Sequence, residues 1–413
     1  MDLLRFITAG SVDDGKSTLI GRLLYDSKNI LTDQLEQLEK QTKNKEAGVI
    51  DLALLTDGLR AEREQGITID VAYRYFSTPN RKFIIADAPG HVQYTRNMIT
   101  GASNASLVII LVDARQGVVE QTRRHSIIAS LLKIPHVVVA INKMDLVEYS
   151  QDVFNDIVID YAAMAKQLGL EDVAYIPMSA LLGDNIVDRS EKMAWYEGKP
   201  LLQYLEEIVT DNDLDHTHSR FQVQLVIRPQ TEELHDYRGY AGKVISGIYK
   251  KGDVVKVLPS GIESTISKLE IAGTEVEEVF APQSVVIQLK DDIDISRGDT
   301  IVNAAEELRV GNELEALLCW MDEKPLQSGN KYYLQHNSRL VRSVIRNIEY
   351  KLDVNTLQQL PVEGQVKLNE VVKATIKTAS PLVFDSYVSI SANGCAILID
   401  ETSNSTVAAV LFQ

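Results

Sequence analysis

The sequence predicts an α/β domain, with a mostly parallel sheet and helices on both faces, followed by two β-barrels. Apolar strand-like runs alternate with helical stretches through the first half of the chain, as in a parallel sheet covered by helices. The hydrophobic period then changes to the two-residue alternation of half-buried strands. Glycine and proline punctuate these later runs at short intervals, which is typical of closed barrels without exposed edges.

The elements of the α/β domain follow from apolar runs and helical spacing. We predict strands at residues 3–9, 82–86, 106–113, 136–142 and 175–178, and helices at 19–24, 121–132 and 153–168. A charged stretch, residues 26–65, lies between the first helix and the second strand, and Leu31, Leu35 and Leu38 keep helical spacing within it. We expect a surface helix that leads into a loop there.

The barrel strands follow from the alternating runs. We predict strands at residues 221–227, 240–245, 253–258, 264–271, 285–289 and 300–302 in the first barrel, and at 313–321, 340–352, 365–375 and 407–412 in the second. A chain of 413 residues is too long for a single core. We therefore expect three domains, at residues 1–212, 220–304 and 305–413.

Composition restricts the partners and the location of the protein. With 42 Lys and Arg against 58 Asp and Glu, the formal net charge is −16, which argues against nucleic acid as the main partner. No apolar run approaches the ~20 residues of a membrane span. Residues 1–6 lead directly into the first strand without the basic and apolar regions of a signal peptide. We expect a cytoplasmic protein that contacts neither membrane nor nucleic acid.

A complete phosphate-binding pattern, Gly-x-x-x-x-Gly-Lys-Ser, lies between the first strand and the first helix. Glycines at both ends let the backbone N–H groups face a polyphosphate, Lys16 reaches the terminal phosphates, and Ser17 offers its hydroxyl to Mg²⁺. A purely structural strand-to-helix turn is the alternative, but the strand–loop–helix setting favours nucleoside triphosphate binding. The predicted binding residues are Gly10, Ser11, Val12, Asp13, Asp14, Gly15, Lys16, Ser17 and Thr18.

The tetrapeptide from Asn142 to Asp145 follows another predicted strand and indicates which base is bound. The Asp145 carboxylate can accept hydrogen bonds from the N1–H and the exocyclic amine of guanine, a donor pair that adenine lacks. Asn142 would connect the base edge to the phosphate loop, and the Lys143 stem would lie along the ring. A surface turn is the alternative interpretation, but the position after a strand favours GTP.

A second segment after a predicted strand completes the base site. Ser179, Ala180 and Leu181 follow the strand at 175–178, and a backbone N–H of this segment would donate to the guanine O6. Ligands of such sheets bind at the carboxyl ends of the strands, which is where each of these motifs falls.

The segment Asp87, Ala88, Pro89, Gly90 and His91 follows the strand at 82–86. Asp87 would hold Mg²⁺ through water, and the Gly90 N–H would meet the γ-phosphate. His91 would orient the attacking water, the task that glutamine performs in other GTPases, and is the predicted catalytic residue. A solvated histidine at the start of a helix is the alternative.

Residues 63–69 supply a second predicted switch. The Thr68 hydroxyl would ligate Mg²⁺ and its N–H would contact the γ-phosphate, so that Ser17, Thr68 and Asp87 form the metal site. Loss of the γ-phosphate would then release this segment together with the one from Asp87 to His91.

Taken together, these motifs and the two barrels resemble a translational GTPase of the elongation factor Tu type over essentially the whole chain. The runs at 238–244 and 294–299 in the first barrel extend the resemblance. The phosphate loop departs from it, because translation factors usually have His-Gly-Lys-Thr where this chain has Asp14, Gly15, Lys16 and Ser17. Residues 13–24 and 57–64 are instead similar to the GTPase subunit of bacterial sulfate adenylyltransferase (ATP sulfurylase).

This resemblance implies a paired function. The GTPase subunit couples GTP hydrolysis to the uphill formation of adenosine 5′-phosphosulfate and diphosphate from ATP and sulfate, with Mg²⁺ as cofactor. The adenylyl-transfer site belongs to a separate small ATP-site subunit, which implies a heterodimer. For the barrels, docking and transmission of the switch state is one interpretation, and simple structural support is the alternative. Some members carry a fused adenylylsulfate kinase with its own phosphate loop; no second such pattern occurs here, and we expect no fused kinase.

Two alternatives stay open at this point. The first is an elongation-factor-like GTPase that delivers aminoacyl-tRNA, against which stand the net charge, the altered loop and the insertion at 26–65. The second is a regulatory GTP-dependent switch without an enzymatic partner. A co-purifying chain with an ATP site, or protection by tRNA, would distinguish them.

Overall fold

The computed structural model describes residues 2–27, 71–88, 95–210, 215–229, 237–353, 356, 358–362 and 364–413. The chain forms two compact units: the first comprises residues 1–210 and 354–357, and the second comprises 211–353 and 358–413. Four predicted site residues, Thr68, Pro89, Gly90 and His91, lie outside the described residues, as does the helix expected within 26–65.

A six-stranded sheet in the order β2-β3-β1-β4-β5-β6 is the centre of the first unit. Only the pairing of β2 with β3 is antiparallel; the other pairings are parallel, and the predicted mostly parallel sheet is confirmed. The strands are β1 (Leu3–Ala9), β2 (Ala72–Ser77), β3 (Lys82–Asp87), β4 (Leu107–Asp113), β5 (His136–Asn142) and β6 (Asp172–Pro177).

Helices cover both faces of this sheet. Leu19 and Leu23 of the first helix share a core cluster with Phe6 of β1. On the opposite face, a Cβ added to Gly101 of the second helix would lie 3.2 Å from Ile7 Cδ1. The helices are α1 (Lys16–Asp26), α2 (Thr95–Ala102), α3 (Glu120–Leu131), α4 (Gln151–Leu168) and α5 (Leu201–Glu207). Within the described ranges, no helix has the length and hydropathy needed to cross a bilayer.

The register of the sheet brings polar residues together at one edge. Thr8 of β1 pairs with Asp87 of β3, and Asp113 of β4 pairs with Asn142 of β5. Every residue of β4 and β5 is buried, and between His136 at the start of β5 and the last residue of each strand all side chains are apolar. The carboxyl ends of four neighbouring strands therefore present their polar side chains side by side.

The first barrel is a closed ring of six strands, β10-β15-β7-β8-β14-β11, with β11 pairing back to β10. β12 pairs with β11 outside this ring, and β9 and β13 form a separate two-stranded sheet. The strands are β7 (Arg220–Ile227), β8 (Gly239–Ser246), β9 (Ile248–Lys250), β10 (Val254–Leu258), β11 (Ile262–Ile271), β12 (Thr274–Val276), β13 (Glu278–Phe280), β14 (Ser284–Leu289) and β15 (Thr300–Asn303).

The second barrel is also a closed six-stranded ring, β17-β21-β22-β16-β20-β18, with β18 pairing back to β17 and β19 attached to β18. Two closed barrels after the α/β domain confirm the predicted fold class. The strands are β16 (Arg309–Trp320), β17 (Lys331–His336), β18 (Arg339–Leu352), β19 (Gln359–Leu360), β20 (Val371–Phe384), β21 (Cys395–Ile399) and β22 (Thr406–Phe412).

Some strand boundaries differ from the sequence prediction. The strand expected at 365–375 begins at Val371, because Asn369 has a positive φ of 66° and turns the chain before it. It continues to Phe384, with alternating burial over residues 372–379. The strand expected at 175–178 begins earlier, at Asp172, and ends at Pro177.

A buried ion pair joins the two barrels. Arg220 of β7 donates from Nε and Nη2 to the two carboxylate oxygens of Asp385, at 2.9 and 3.0 Å, and from Nη1 to Glu306. Asn393 Nδ2 donates at 2.8 Å to Asp385 Oδ2, the oxygen that also accepts from Arg220 Nε. The Arg220 and Asp385 side chains are 3% and 9% exposed. Removing one partner of a buried pair leaves a charge without compensation, so a substitution that breaks this contact should destabilise the barrel unit strongly.

We expect Asp385→Asn to lower the free energy of unfolding of the barrel unit by about 3 kcal/mol, because it leaves the Arg220 charge only partly paired. Denaturant unfolding in a Trp195→Phe background would follow Trp320 of β16 as the single tryptophan. Glu401→Gln is the matched control: it breaks an exposed contact with Arg342 at 3.5 Å and should cost less than about 1 kcal/mol. Equal costs for the two variants would contradict the account.

Candidate functional site

The phosphate loop between β1 and α1 presents free N–H groups. Asp13 and Gly15 have positive φ values of 68° and 93°. Among the described residues, no acceptor meets the backbone N–H groups of Gly15, Lys16, Ser17 and Thr18, and no side chain caps the helix. Four donors at the positive end of a helix form an environment suited to a phosphate group.

Gly15 is required by its surroundings. A Cβ at this position would lie 2.6 Å from the Asn142 side-chain nitrogen, well inside van der Waals contact. Its φ of 93° is also unfavourable for residues with a Cβ. Glycine therefore allows the loop to contact the end of β5.

Asp14, where the loop departs from translation factors, closes the loop on itself. The Ser11 N–H donates to Asp14 Oδ2 at 2.5 Å, and the Asp14 N–H faces the Ser11 carbonyl at 3.3 Å. Burial raises the pKa of Asp14, while the Ser11 N–H and the charge of Lys16 oppose that rise. The Asp14 carboxylate is thus hydrogen-bonded within the loop itself. The neighbouring Val12 side chain is exposed.

Lys16 lies inside the loop. Its ammonium donates to the carbonyl oxygens of Gly10 and Ser11 at 3.0 and 3.2 Å. Burial lowers its pKa, and the carboxylates of Asp87, Asp14 and Asp13 counteract that effect. The structure therefore holds the lysine next to the free N–H groups of α1.

Asn142 connects the phosphate loop to the segment after β6. Its Nδ2 donates to the Asp14 carbonyl at 2.7 Å, and its Oδ1 accepts the Ala180 N–H at 2.9 Å. The side chain is buried, so both bonds are shielded from water. The Asn142 side-chain amide thus joins the phosphate loop to the segment of residues 179–181, which lies far from it in the sequence.

Lys143 is held by a residue that the sequence analysis did not identify. Its ammonium lies 3.0 Å from Asp113 Oδ2 and donates to the Asp13 carbonyl. Burial opposes ionisation of Asp113, but hydrogen bonds from Arg115 and Lys143 outweigh it and lower the pKa of Asp113 to about 2. The available signal was a charged residue that ends an apolar strand, as Asp87 does.

The residues predicted to recognise the base present polar groups without a hydrogen-bond partner in the described part of the chain. Asp145 lies in a 3₁₀ turn, Met144–Val147, and its carboxylate accepts no hydrogen bond from the part of the chain that the structure describes. In the same part, the N–H of the exposed Leu181 has no acceptor. Ser179 is buried, and its hydroxyl accepts the Leu182 N–H at 3.3 Å.

Oxygen groups suited to a magnesium ion lie at the ends of β3 and α1. Asp87 is buried and accepts from the Thr8 hydroxyl at 3.4 Å, and Ala88 beside it is also buried. Ser17 is the second residue of α1, and its hydroxyl has no hydrogen bond to any described residue. Hydroxyl and carboxylate oxygens are ligands that Mg²⁺ accepts, with water and phosphate completing its octahedron. The described ranges contain no cluster of three His, Cys, Asp or Glu suited to a metal.

Comparisons with known proteins agree with this geometry. Residues 1–211 match the elongation factor Tu GTP binding domain family, and residues 313–412 match the GTP-eEF1A C-terminal domain-like family. The chain is 53% identical over 409 residues to sulfate adenylyltransferase subunit 1 of Bacteroides fragilis, covering 98% of this chain and 85% of the relative. It is 52% identical over 408 residues to the bifunctional enzyme CysN/CysC of Mycobacterium tuberculosis, covering 98% of this chain but 66% of that relative.

Among solved structures, the chain is similar to the GTPase-like domain of Saccharomyces cerevisiae Ski7 bound to GTP. The TM-score is 0.53 at 17% identity, covering 100% of this chain and 97% of that one. At such low identity this likeness concerns the fold alone. The matches to curated relatives are far closer, and from them the chain belongs to the sulfate adenylyltransferase subunit 1 family, with an elongation factor Tu type GTP-binding domain.

Proposed function

We propose that this chain is the GTP-binding subunit of a sulfate adenylyltransferase. It couples GTP hydrolysis to the formation of adenosine 5′-phosphosulfate and diphosphate from ATP and sulfate. The observation that carries the proposal is the hydrogen-bonded connection from the phosphate loop through Asn142 to residues 179–181. Identity of 53% over 409 residues to a sulfate adenylyltransferase subunit 1 supports the coupled reaction rather than aminoacyl-tRNA delivery.

Guanine is the base that the free groups suit. The Asp145 carboxylate would accept the N1–H and the exocyclic amine, and the open N–H of Leu181 would donate to O6. Adenine offers neither the donor pair nor a carbonyl at that position, so both contacts would be lost. A site with buried or oriented polar groups rejects a ligand that leaves them unpaired.

The phosphate loop and the magnesium ion would bind the phosphates of the nucleotide. The N–H groups of α1 and the Lys16 ammonium would bind the phosphates, with Ser17 and Asp87 on the Mg²⁺ side. Magnesium, when bound, neutralises charge on the phosphate oxygens. Thr68 as a metal ligand, Gly90 at the γ-phosphate and His91 as the residue that orients water belong to the same proposal, and these three lie outside the described residues.

The partner and the location complete the proposal. ATP and sulfate would react on a separate small ATP-site subunit, which forms a heterodimer with this chain in the cytoplasm. The name subunit 1 of several relatives supports a partner subunit. The net charge of −16 supports a protein partner over nucleic acid.

The direct test is diphosphate release from ATP and sulfate by this chain together with the ATP-site subunit, with and without GTP. We expect GTP to stimulate release. Lys16→Ala should remove the stimulation, because losing a buried charged donor should weaken nucleotide binding by roughly a hundredfold. Lys166→Ala, an exposed lysine of α4, is the matched control. Stimulation that persists in Lys16→Ala, or GTP hydrolysis accelerated by tRNA and ribosomes instead, would refute the proposal.

Guanine selectivity is tested by Asp145→Asn. The amide can donate to the O2 of xanthine, so we expect GTP affinity to fall by on the order of a hundredfold and xanthosine triphosphate affinity to rise. Calorimetric titration of each nucleotide measures both changes. Asp156→Asn, on the exposed side of α4, should leave both affinities unchanged. An Asp145→Asn protein that still prefers GTP would show that the base lies elsewhere.

A further inference from the structure

We propose that Arg22 is a positioning residue for guanine recognition, which holds the segment of residues 179–181 in the orientation that reads the O6 of the base. Arg22 lies on α1, two turns after the phosphate loop, and it is not among the residues predicted to touch the nucleotide. The inference rests on the proposed function, because guanine is what gives this segment a ligand.

The Arg22 guanidinium contacts the segment directly. Its Nε donates to the Ala180 carbonyl at 3.3 Å, and its Nη2 donates to the Leu181 carbonyl. Its Nη1 lies 3.6 Å from Asp26 Oδ1, one turn further along α1. The side chain is 18% exposed, so water competes only partly for these bonds. Each of the three guanidinium nitrogens thus faces an oxygen atom of the protein.

These are the bonds that orient the peptide planes. In the described part of the chain, the Ala180 and Leu181 carbonyls accept hydrogen bonds from Arg22 alone. The Ala180 carbonyl and the Leu181 N–H belong to one planar trans peptide and point in opposite directions. Holding the carbonyl on Arg22 therefore turns the Leu181 N–H away from α1, and this is the donor that remains free for O6.

The other bonds of the segment fix its ends but leave this peptide plane undetermined. Asn142 holds the Ala180 N–H, which belongs to the preceding peptide. Ser179 accepts the Leu182 N–H on its hydroxyl and the Gly183 N–H on its carbonyl, at 3.3 and 2.8 Å. Arg22 supplies the constraint on the peptide between them.

Arginine suits this role better than lysine. Its rigid fork donates to two carbonyls and pairs with a carboxylate at the same time, whereas an ammonium on a flexible stem is not oriented by its own geometry. Gly183 lies against the same guanidinium, since a Cβ there would be 3.7 Å from Arg22 Cζ. Arg22 also belongs to the run of residues 13–24 that is similar to the GTPase subunit of sulfate adenylyltransferase.

The test compares Arg22→Met with the wild type for three nucleotides, each measured by calorimetry. GTP and inosine triphosphate both carry O6, whereas the triphosphate of 2-aminopurine riboside lacks it. We expect Arg22→Met to bind GTP and inosine triphosphate roughly tenfold more weakly, because charge-assisted hydrogen bonds that orient the donor are lost. Affinity for the 2-aminopurine nucleotide should change less than about twofold. Arg123→Met, an exposed arginine of α3 in the same unit, is the matched control.

The outcomes separate this inference from the proposed function. Equal weakening of all three nucleotides by Arg22→Met would mean that the arginine only supports the fold, and would overturn the inference. So would unchanged affinity for GTP while Asp145→Asn shifts selectivity to xanthine. If Asp145→Asn leaves selectivity unchanged, the guanine site itself is wrong and the proposed function fails first.

Discussion

The side-chain amide of Asn142 is the contact on which the candidate site depends. With one hydrogen bond it holds the Asp14 carbonyl of the phosphate loop, and with another it holds the Ala180 N–H of the base-reading segment. Gly15 makes this possible, since any Cβ would collide with the amide. One buried amide thereby joins two segments that lie 128 and 38 residues away in the chain. The residues predicted to contact the phosphates and those predicted to contact the base are thus held relative to each other by the protein itself.

The sheet makes that amide rigid. β4 and β5 are buried along their whole length, and apart from His136 at the start of β5 they carry polar side chains only at their last residues, Asp113 and Asn142. Burying Asp113 there is costly, and its bonds to Arg115 and Lys143 offset the cost. In the second unit, Arg220 and Asp385 use the same physical arrangement, a buried charge held by several donors, to join two barrels. In both places a buried charge is fully partnered and fixes the geometry around it.

Local patterns were sufficient for the fold class, because apolar strand-like runs alternate with helical stretches and then give way to alternating strands. The residues predicted to bind the nucleotide stay a prediction, and the structure places the described ones at the carboxyl ends of the strands and the start of α1. Local patterns were insufficient for β2, an edge strand in which Phe76 is buried while Tyr73 and Tyr75 are exposed, so that no apolar run marks it. Arg22 could not be assigned either, since its carbonyl partners lie 158 and 159 residues away in the sequence. Such roles depend on tertiary contacts, and periodicity carries no signal for them.

The affinity of Asn142→Ala for GDP tests the central claim most directly. The account predicts a loss of roughly a hundredfold, since both the loop and the base-reading segment lose their shared anchor, while Asn155→Ala on the exposed face of α4 binds GDP normally. Calorimetric titration, with thermal unfolding to verify that each variant is folded, provides the measurement. A folded Asn142→Ala protein that retains wild-type affinity for GDP would contradict the account.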